Sequence, residues 1–192
     1  MGFALIVDGP NFINDLNRYG KDFTYLMSTF SFPLLHMSIQ RRLNIHGLRG
    51  HPFIHTYFVC ADRGKLGKLD YNQRNMFLEK LKKEQGVTVD EIKQSKKSGQ
   101  EEQVDMSVFI RMLEMGPLSA LHDDTWRHIV LISSDSDYVP AIRLLSKMGT
   151  HTVTVGFQKL PEKEYPVEMI NESYLFLELS ELLSEMEYRK PK

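Results

Sequence analysis

Phe3-Ala4-Leu5-Ile6-Val7-Asp8-Gly9-Pro10-Asn11 opens on five apolar residues and closes on an acid followed by two chain-breakers. An uninterrupted apolar run fits a strand buried on both faces, and such strands belong to parallel sheets covered by helices. Working outward, Phe53–Cys60 reads as a second strand, Val87–Ile92 as a weaker third, His128–Ile132 as a fourth and His151–Phe157 as a fifth. Helical patterns fill the gaps between them. Pro33 opens a stretch with Leu35, Ile39 and Leu43 at i, i+4 spacing, and Asp70 caps one running to Gln85. Glu101–Met115 carries Val104, Val108, Met112 and Met115 on one stripe, and Tyr138–Met148 follows the fourth strand directly. A last amphipathic stretch, Leu175–Met186, precedes the basic tail Arg189-Lys190-Pro191-Lys192.

Strands alternating with helices predict an α/β protein with a central parallel sheet of about five strands. Right-handed crossovers and the order 3-2-1-4-5 would make strands one and four neighbours where the winding reverses. The 192 residues fit a single domain spanning 1–192. A chain of this size buries roughly 70% of its unfolded surface and needs no disulfides. The one cysteine, Cys60, sits inside a strand as core and suits a reducing cytosol. The start lacks a basic n-region, and no stretch is apolar enough to span a membrane, so the expectation is a soluble, cytoplasmic chain without a membrane partner. The aromatic-rich segment Phe23–Leu35 has no clear period; core packing, a groove lining or a homodimer contact would each account for it.

Two acidic clusters follow the two most apolar strands: Asp8-Gly9-Pro10-Asn11, and Ser133-Ser134-Asp135-Ser136-Asp137. Ligands of open parallel sheets bind beyond the carboxyl ends of the strands, at the reversal of strand order, so both clusters would share one crevice. Asp105, near the start of its helix, could point to the same place or be a surface acid favoured by the helix dipole. Two carboxylates about 5 Å apart repel by roughly 3 kcal/mol at an effective dielectric of 20. Three together would cost on the order of 10 kcal/mol, comparable with the stability of a whole domain. A cation or shared protons must offset that. All-oxygen ligands favour Mg²⁺ or Mn²⁺ over zinc.

Several of these residues have structural readings as well. Ser134 or Ser136 could cap the following helix, Asp137 sits where first-turn acids are common, and Asn11 could support its turn. Asp62 could join the crevice or close a bend. His51 and His55 do not make a helical ligand pair, because Pro52 lies between them. No Gly-rich phosphate loop is present, so no nucleotide cofactor is expected, and no Gly-x-Ser-x-Gly elbow anchors a hydrolase triad. From Arg63 to Lys97 ten Lys or Arg stand against five Asp or Glu, a balance of +5 that leaves −6 for the rest of a chain whose net charge is −1. Such an asymmetry suits a polyanion held near acidic chemistry, and equally a solvated helix face.

Asp8-Gly9-Pro10-Asn11, Val104-Asp105 and Ser133-Ser134-Asp135-Ser136-Asp137-Tyr138-Val139-Pro140, in this order and spacing, resemble the NYN domain family (which includes LabA-like proteins) of the PIN-like nuclease superfamily. The resemblance covers roughly Gly2 to Leu182. It implies a three-layer PIN-like, Rossmannoid fold and a divalent-metal-dependent ribonuclease acting on RNA; single-stranded RNA is favoured because exposed bases can stack on Tyr or Phe near the crevice. By the same resemblance Asp8, Asp105 and Asp135 would be metal ligands for Mg²⁺ or Mn²⁺, Asp137 a further ligand or water-holder, and Asn11 an orienting group. Ser133 and Ser134 would contact phosphate, while the basic Arg63, Lys65, Lys68 and Lys97 would grip the backbone. The chain departs from the family pattern at Ser134, where Gly is common, at Glu102-Gln103, where Lys-Gly is common, and at Arg111, where a second aspartate is common. Those departures keep a second class open, a non-catalytic RNA- or protein-binding module. A phosphatase of the haloacid-dehalogenase type is disfavoured, because Pro10 occupies its second aspartate position.

Overall fold

The computed structural model describes residues 3–48, 53–63, 65–93, 100–118 and 128–188. His51, Lys97 and the tail 189–192 lie outside the described residues. The chain runs through β1 (Phe3–Asp8), α1 (Gly9–Arg18), α2 (Phe23–Ser28), α3 (Phe32–Ile45), β2 (Phe53–Ala61), α4 (Tyr71–Lys83) and β3 (Val87–Ile92). It continues with α5 (Gln100–Leu113), a π-turn over Glu114–Leu118, β4 (His128–Ile132), a 3₁₀ turn over Ser136–Tyr138, α6 (Val139–Lys147) and β5 (His151–Gly156). A two-residue hairpin, β6 (Lys159–Leu160) and β7 (Lys163–Glu164), leads to α7 (Val167–Glu172), β8 (Leu175–Glu178) and α8 (Leu179–Tyr188).

Six strands form one sheet in the order β3-β2-β1-β4-β5-β8, and every pairing in it is parallel. The expected order 3-2-1-4-5 is therefore present, with β8 added at the edge. That sixth strand corrects the reading of Leu175–Met186 as one helix: Leu175–Glu178 is strand, and the helix begins at Leu179. Helices cover both faces. Phe3, Leu5 and Val7 of β1 pack with Phe12, Ile13 and Leu16 of α1 and with side chains of α3, α4 and α8. Ile6 points the other way, into a cluster with Val104, Val108 and Met112 of α5 and Ile142 and Leu145 of α6. By the period of two along a strand, Asp8 shares the face of Ile6 and turns toward α5.

The Phe23–Leu35 segment serves the core. Phe30 and Phe32 are buried and meet edge to face at 4.9 Å, and Phe32 and Phe77 each stack against Phe58 at about 6 Å. Those rings are turned into the protein, while Phe23 and Tyr25 of the same segment are only partly buried. Cys60 is buried too, and burial pushes its thiol up to about 12, as expected of inert core.

Helix α1 follows β1 without a linker. Asp8 is its N-cap, its side chain accepting from the Asn11 backbone N–H, and Pro10 stands in the first turn, where its missing N–H costs nothing. Gly9 is required by space: a Cβ there would lie 2.7 Å from both the Phe58 ring and the Val59 carbonyl oxygen. Glycine thus lets the helix start against β2 and fixes where the Asp8 carboxylate emerges. Gly9→Ala should lower unfolding stability by about 1–3 kcal/mol through overpacking, measured by urea denaturation. An unchanged midpoint would show that the helix start is not clamped by Phe58.

Candidate metal and nuclease site

The site sits at the carboxyl ends of β1 and β4, neighbours in the sheet where the winding reverses. The register pairs Val7 with Ile132, so the next residues, Asp8 and Ser133, emerge side by side. Asp8 is 1% exposed. It accepts hydrogen bonds from Asn11 Nδ2 (2.7 Å), Asn11 N (3.3 Å), Ser133 Oγ (3.0 Å) and the Tyr138 hydroxyl (3.3 Å). The Asn11 amide nitrogen also lies 3.5 Å from Asp135 Oδ2, so Asp8 and Asp135 face one another across one amide. The same Tyr138 hydroxyl donates to Asp105 Oδ1 at 3.1 Å, linking Asp8 to α5. Asp8, Asp105 and Asp135, 97 and 30 residues apart along the chain, are thereby brought together through two bridging side chains.

Burial pushes the Asp8 carboxyl up; the Asn11 and Ser133 hydrogen bonds oppose that shift and the charge of Asp135 adds to it. Asp105 is raised to about 6, first by burial and then by the charges of Asp8, Asp135 and Asp137, against the lowering effect of its Tyr138 hydrogen bond. Tyr138 is raised far above the ordinary phenol value by burial and by Asp8 and Asp105, so it stays a donor. A phenol carries one proton and donates to one carboxylate at a time; Asp105, when protonated, can return the second hydrogen bond.

The remaining expected residues fall into distinct places. Asp135 caps the 3₁₀ turn, accepting from the Asp137 N–H at 3.0 Å, so Asp135 takes the capping role considered for Ser134 and Ser136. Asp137 is exposed just beyond it. The hydroxyls of Ser133 and Ser134 turn inward: Ser133 donates to Asp8, and Ser134 donates to the buried Asp15. Lys163 of the β6–β7 hairpin reaches Asp15 at 2.9 Å, and the Tyr165 hydroxyl donates to the Ser133 carbonyl at 2.8 Å, so the acidic loop is braced from behind. Asp15, Lys163 and Tyr165 carried no site signal in the sequence, and Tyr138 stood in the third motif without a role of its own. Arg63, Lys65 and Lys68 are exposed on the turn after β2, at the same end of the sheet as Asp8. The Lys68 N–H is tied to Asn17 of α1 at 2.9 Å. Asp62 lies in that bend, its N–H bonded to the Ile92 carbonyl at 2.9 Å. Arg111 lies on the other face of the sheet from α1, bonded to Asp90 and Glu114 at 2.7 Å each and stacked 4.9 Å over the Tyr57 ring, so it packs α5 onto the sheet.

In chemistry the cluster suits a hard divalent cation: three carboxylates, no thiolate or imidazole among them, and two carboxyls raised chiefly by burial and further by neighbouring acids. In spacing, no group of three His, Cys, Asp or Glu side chains among the described residues is set as a ready ion cage. What lies between Asp8 and Asp105 is the Tyr138 hydroxyl.

The family model of the NYN domain matches residues 3–180, which takes in every strand of the sheet and all three acidic segments. The chain belongs to the NYN domain family. It is thus a member of the PIN-like nuclease superfamily. This NYN domain is similar in fold to a protein of unknown function from Vibrio parahaemolyticus, with a TM-score of 0.59 and 15% identity over 93% of this chain and 92% of that one. No curated protein matches it. None of the described helices of the NYN domain is long and apolar enough to cross a membrane.

The raised Asp105 carboxyl makes a stability prediction for the metal-free protein. The folded state binds this proton more tightly than the unfolded chain, so the contribution of Asp105 to stability is fully present below the unfolded value of 3.8 and is lost as pH rises through about 6. Asp105→Asn keeps an acceptor for Tyr138 and removes the charge. In chelator it should be more stable than the parent at about pH 7.5, by on the order of 1 kcal/mol after solvent screening. The gap should close as the pH is lowered toward 3.8. A pH-independent gap, or a less stable variant, would show that the carboxylates do not crowd one another.

Proposed function

We propose that this NYN domain is a divalent-metal-dependent ribonuclease that hydrolyses phosphodiester bonds of single-stranded RNA, with Asp8, Asp105 and Asp135 as the ligands of Mg²⁺ or Mn²⁺. The single observation that carries this reading is the meeting of those three carboxylates at one strand-end crevice, joined through Asn11 and Tyr138. Three acids in one hollow are costly, and a cation offsets that cost best. When bound, such an ion supplies positive charge against the scissile phosphate and acidifies a nearby water.

The chain's own groups do the rest. Asn11 fixes the separation of Asp8 and Asp135 by lying between them. Ser133 holds Asp8 in place from the β4 side. Asp137, exposed at the mouth, orients the attacking water and accepts its proton as the new P–O bond forms and the bond to the leaving sugar oxygen breaks. Arg63, Lys65 and Lys68 stand at the same end of the sheet and hold the RNA backbone by charge. Exposed bases of a single strand are free to stack on nearby rings, which favours that substrate over a duplex. A cytoplasmic location and a single domain over residues 1–192 complete the reading.

Arg111 favours one alternative, a non-catalytic RNA- or protein-binding module. The position is committed to Asp90, Glu114 and Tyr57, so it adds no acid to the site. One experiment separates the two. Asp135→Asn should reduce Mn²⁺-dependent cleavage of a fluorescent single-stranded RNA by at least about 100-fold, with circular dichroism unchanged. Equal cleavage by parent and variant means a contaminating nuclease, and RNA binding without turnover by either selects the binding module. For the basic turn, replacing Arg63, Lys65 and Lys68 together by Ala should weaken RNA binding and make the slope of log K against log salt shallower by about 2. An unaltered slope places the RNA elsewhere.

A further inference from the structure

The buried Tyr138 hydroxyl is shared by two acids that come from opposite sides of the crevice. It lies 3.3 Å from Asp8 Oδ2 and 3.1 Å from Asp105 Oδ1. The residue is 2% exposed, and its ring packs in the cluster of Ile6, Val104 and Val108, so the hydroxyl is delivered to that point by a fixed ring. Nothing about the apolar packing needs an oxygen there; a phenylalanine ring would fill the same volume. Asp8 and Asp105 are two of the residues that would hold a cation in the ion site proposed above, and among the described residues no three acids are yet spaced around a common point. We infer that Tyr138 is a built-in stand-in for the cation: its hydroxyl holds Asp8 and Asp105 together in the metal-free protein and has to give up these hydrogen bonds when the ion binds. The inference rests on that ion site and adds a residue that sets how readily it fills.

The physical consequence is a competition. At 3.1 and 3.3 Å these are long contacts served by one proton, of ordinary rather than strong energy, and a carboxylate that turns toward an ion draws away from Tyr138. In Tyr138→Phe nothing has to be displaced. Asp8 keeps its donors Asn11 and Ser133, but Asp105 loses the donation from Tyr138. The metal-free variant is therefore left with two less-satisfied carboxylates, and the cation gains by meeting them. Tyr138 is a positioning residue in this scheme. It touches no substrate, and its effect appears in ion affinity and in metal-free stability before any turnover.

The test is calorimetric titration of the full chain with Mn²⁺ alone, parent against Tyr138→Phe, beside melting curves with chelator and with saturating Mn²⁺. The variant should bind Mn²⁺ about tenfold more tightly, melt lower than the parent in chelator, and gain more in melting temperature from the ion. A second measurement needs no variant. Mn²⁺ added to the parent should produce a tyrosine ultraviolet difference band as the phenol loses its carboxylate partners, and Tyr138→Phe should lack that band. Equal or weaker Mn²⁺ binding by the variant, or no band in the parent despite binding, overturns the stand-in role while leaving the ion site intact. No Mn²⁺ binding by the parent overturns the ion site and this inference together.

Discussion

Asp8 is a charge at the inner end of a buried strand, and the parts of the crevice are arranged around keeping that charge tolerable. Its neighbours supply hydrogen bonds from Asn11 twice and from Ser133, and a further one from the Tyr138 hydroxyl that it shares with Asp105. Each donor comes from a different structural decision: α1 starting without a linker, β4 pairing in register beside β1, and a 3₁₀ turn carrying Tyr138 under the site. An unpartnered carboxylate at that depth would carry a desolvation penalty of several kcal/mol. The fold meets it by local donors, yet adds Asp105 and Asp135 within reach of the same bridging groups. An arrangement that first satisfies one acid and then crowds it with two more is stabilised most by a positive charge.

The brace behind the acidic loop has the same logic at one remove. Ser134 cannot turn toward the crevice while it donates to Asp15, and Asp15 is neutralised by Lys163 from a hairpin 148 residues away. Tyr165 adds a hydrogen bond to the Ser133 carbonyl. The loop bearing Asp135 and Asp137 therefore rests on a packed polar floor. That floor fixes the loop between β4 and the 3₁₀ turn from below. Arg111 belongs to packing, holding α5 to β2 and β3 through Tyr57 and Asp90, so the helix that carries Asp105 is anchored.

The centre of the sheet was readable because Phe3–Val7 and Ile129–Ile132 are unbroken apolar runs followed by acidic clusters, and these strands are the central pair. The order 3-2-1-4-5, expected together with right-handed crossovers, is the order of the first five strands of the sheet. The edge strand β8 was not readable: Leu175 and Leu177 alternate as a strand requires, but no glycine or proline separates them from Leu179, Leu182, Leu183 and Met186, whose spacing is helical. Helix α1 hid behind Gly9 and Pro10, which read as breakers although proline in a first turn and an N-capping Asp8 are starting signals. The acids of the site were legible as clusters after strands. Tyr138 was not, because a phenol's partners are set by where the turn lands in three dimensions, 130 residues from Asp8 in sequence. The Asp15–Lys163 pair was hidden for the same reason.

The central claim is that three negative side chains share one hollow because a divalent ion belongs there. A crystal of the full chain soaked in Mn²⁺ and measured at the manganese absorption edge tests it most directly. The account requires an anomalous peak within coordination distance of the Asp8, Asp105 and Asp135 carboxylates. A fully soaked crystal with no peak in that hollow, or with manganese bound only elsewhere on the surface, would contradict it.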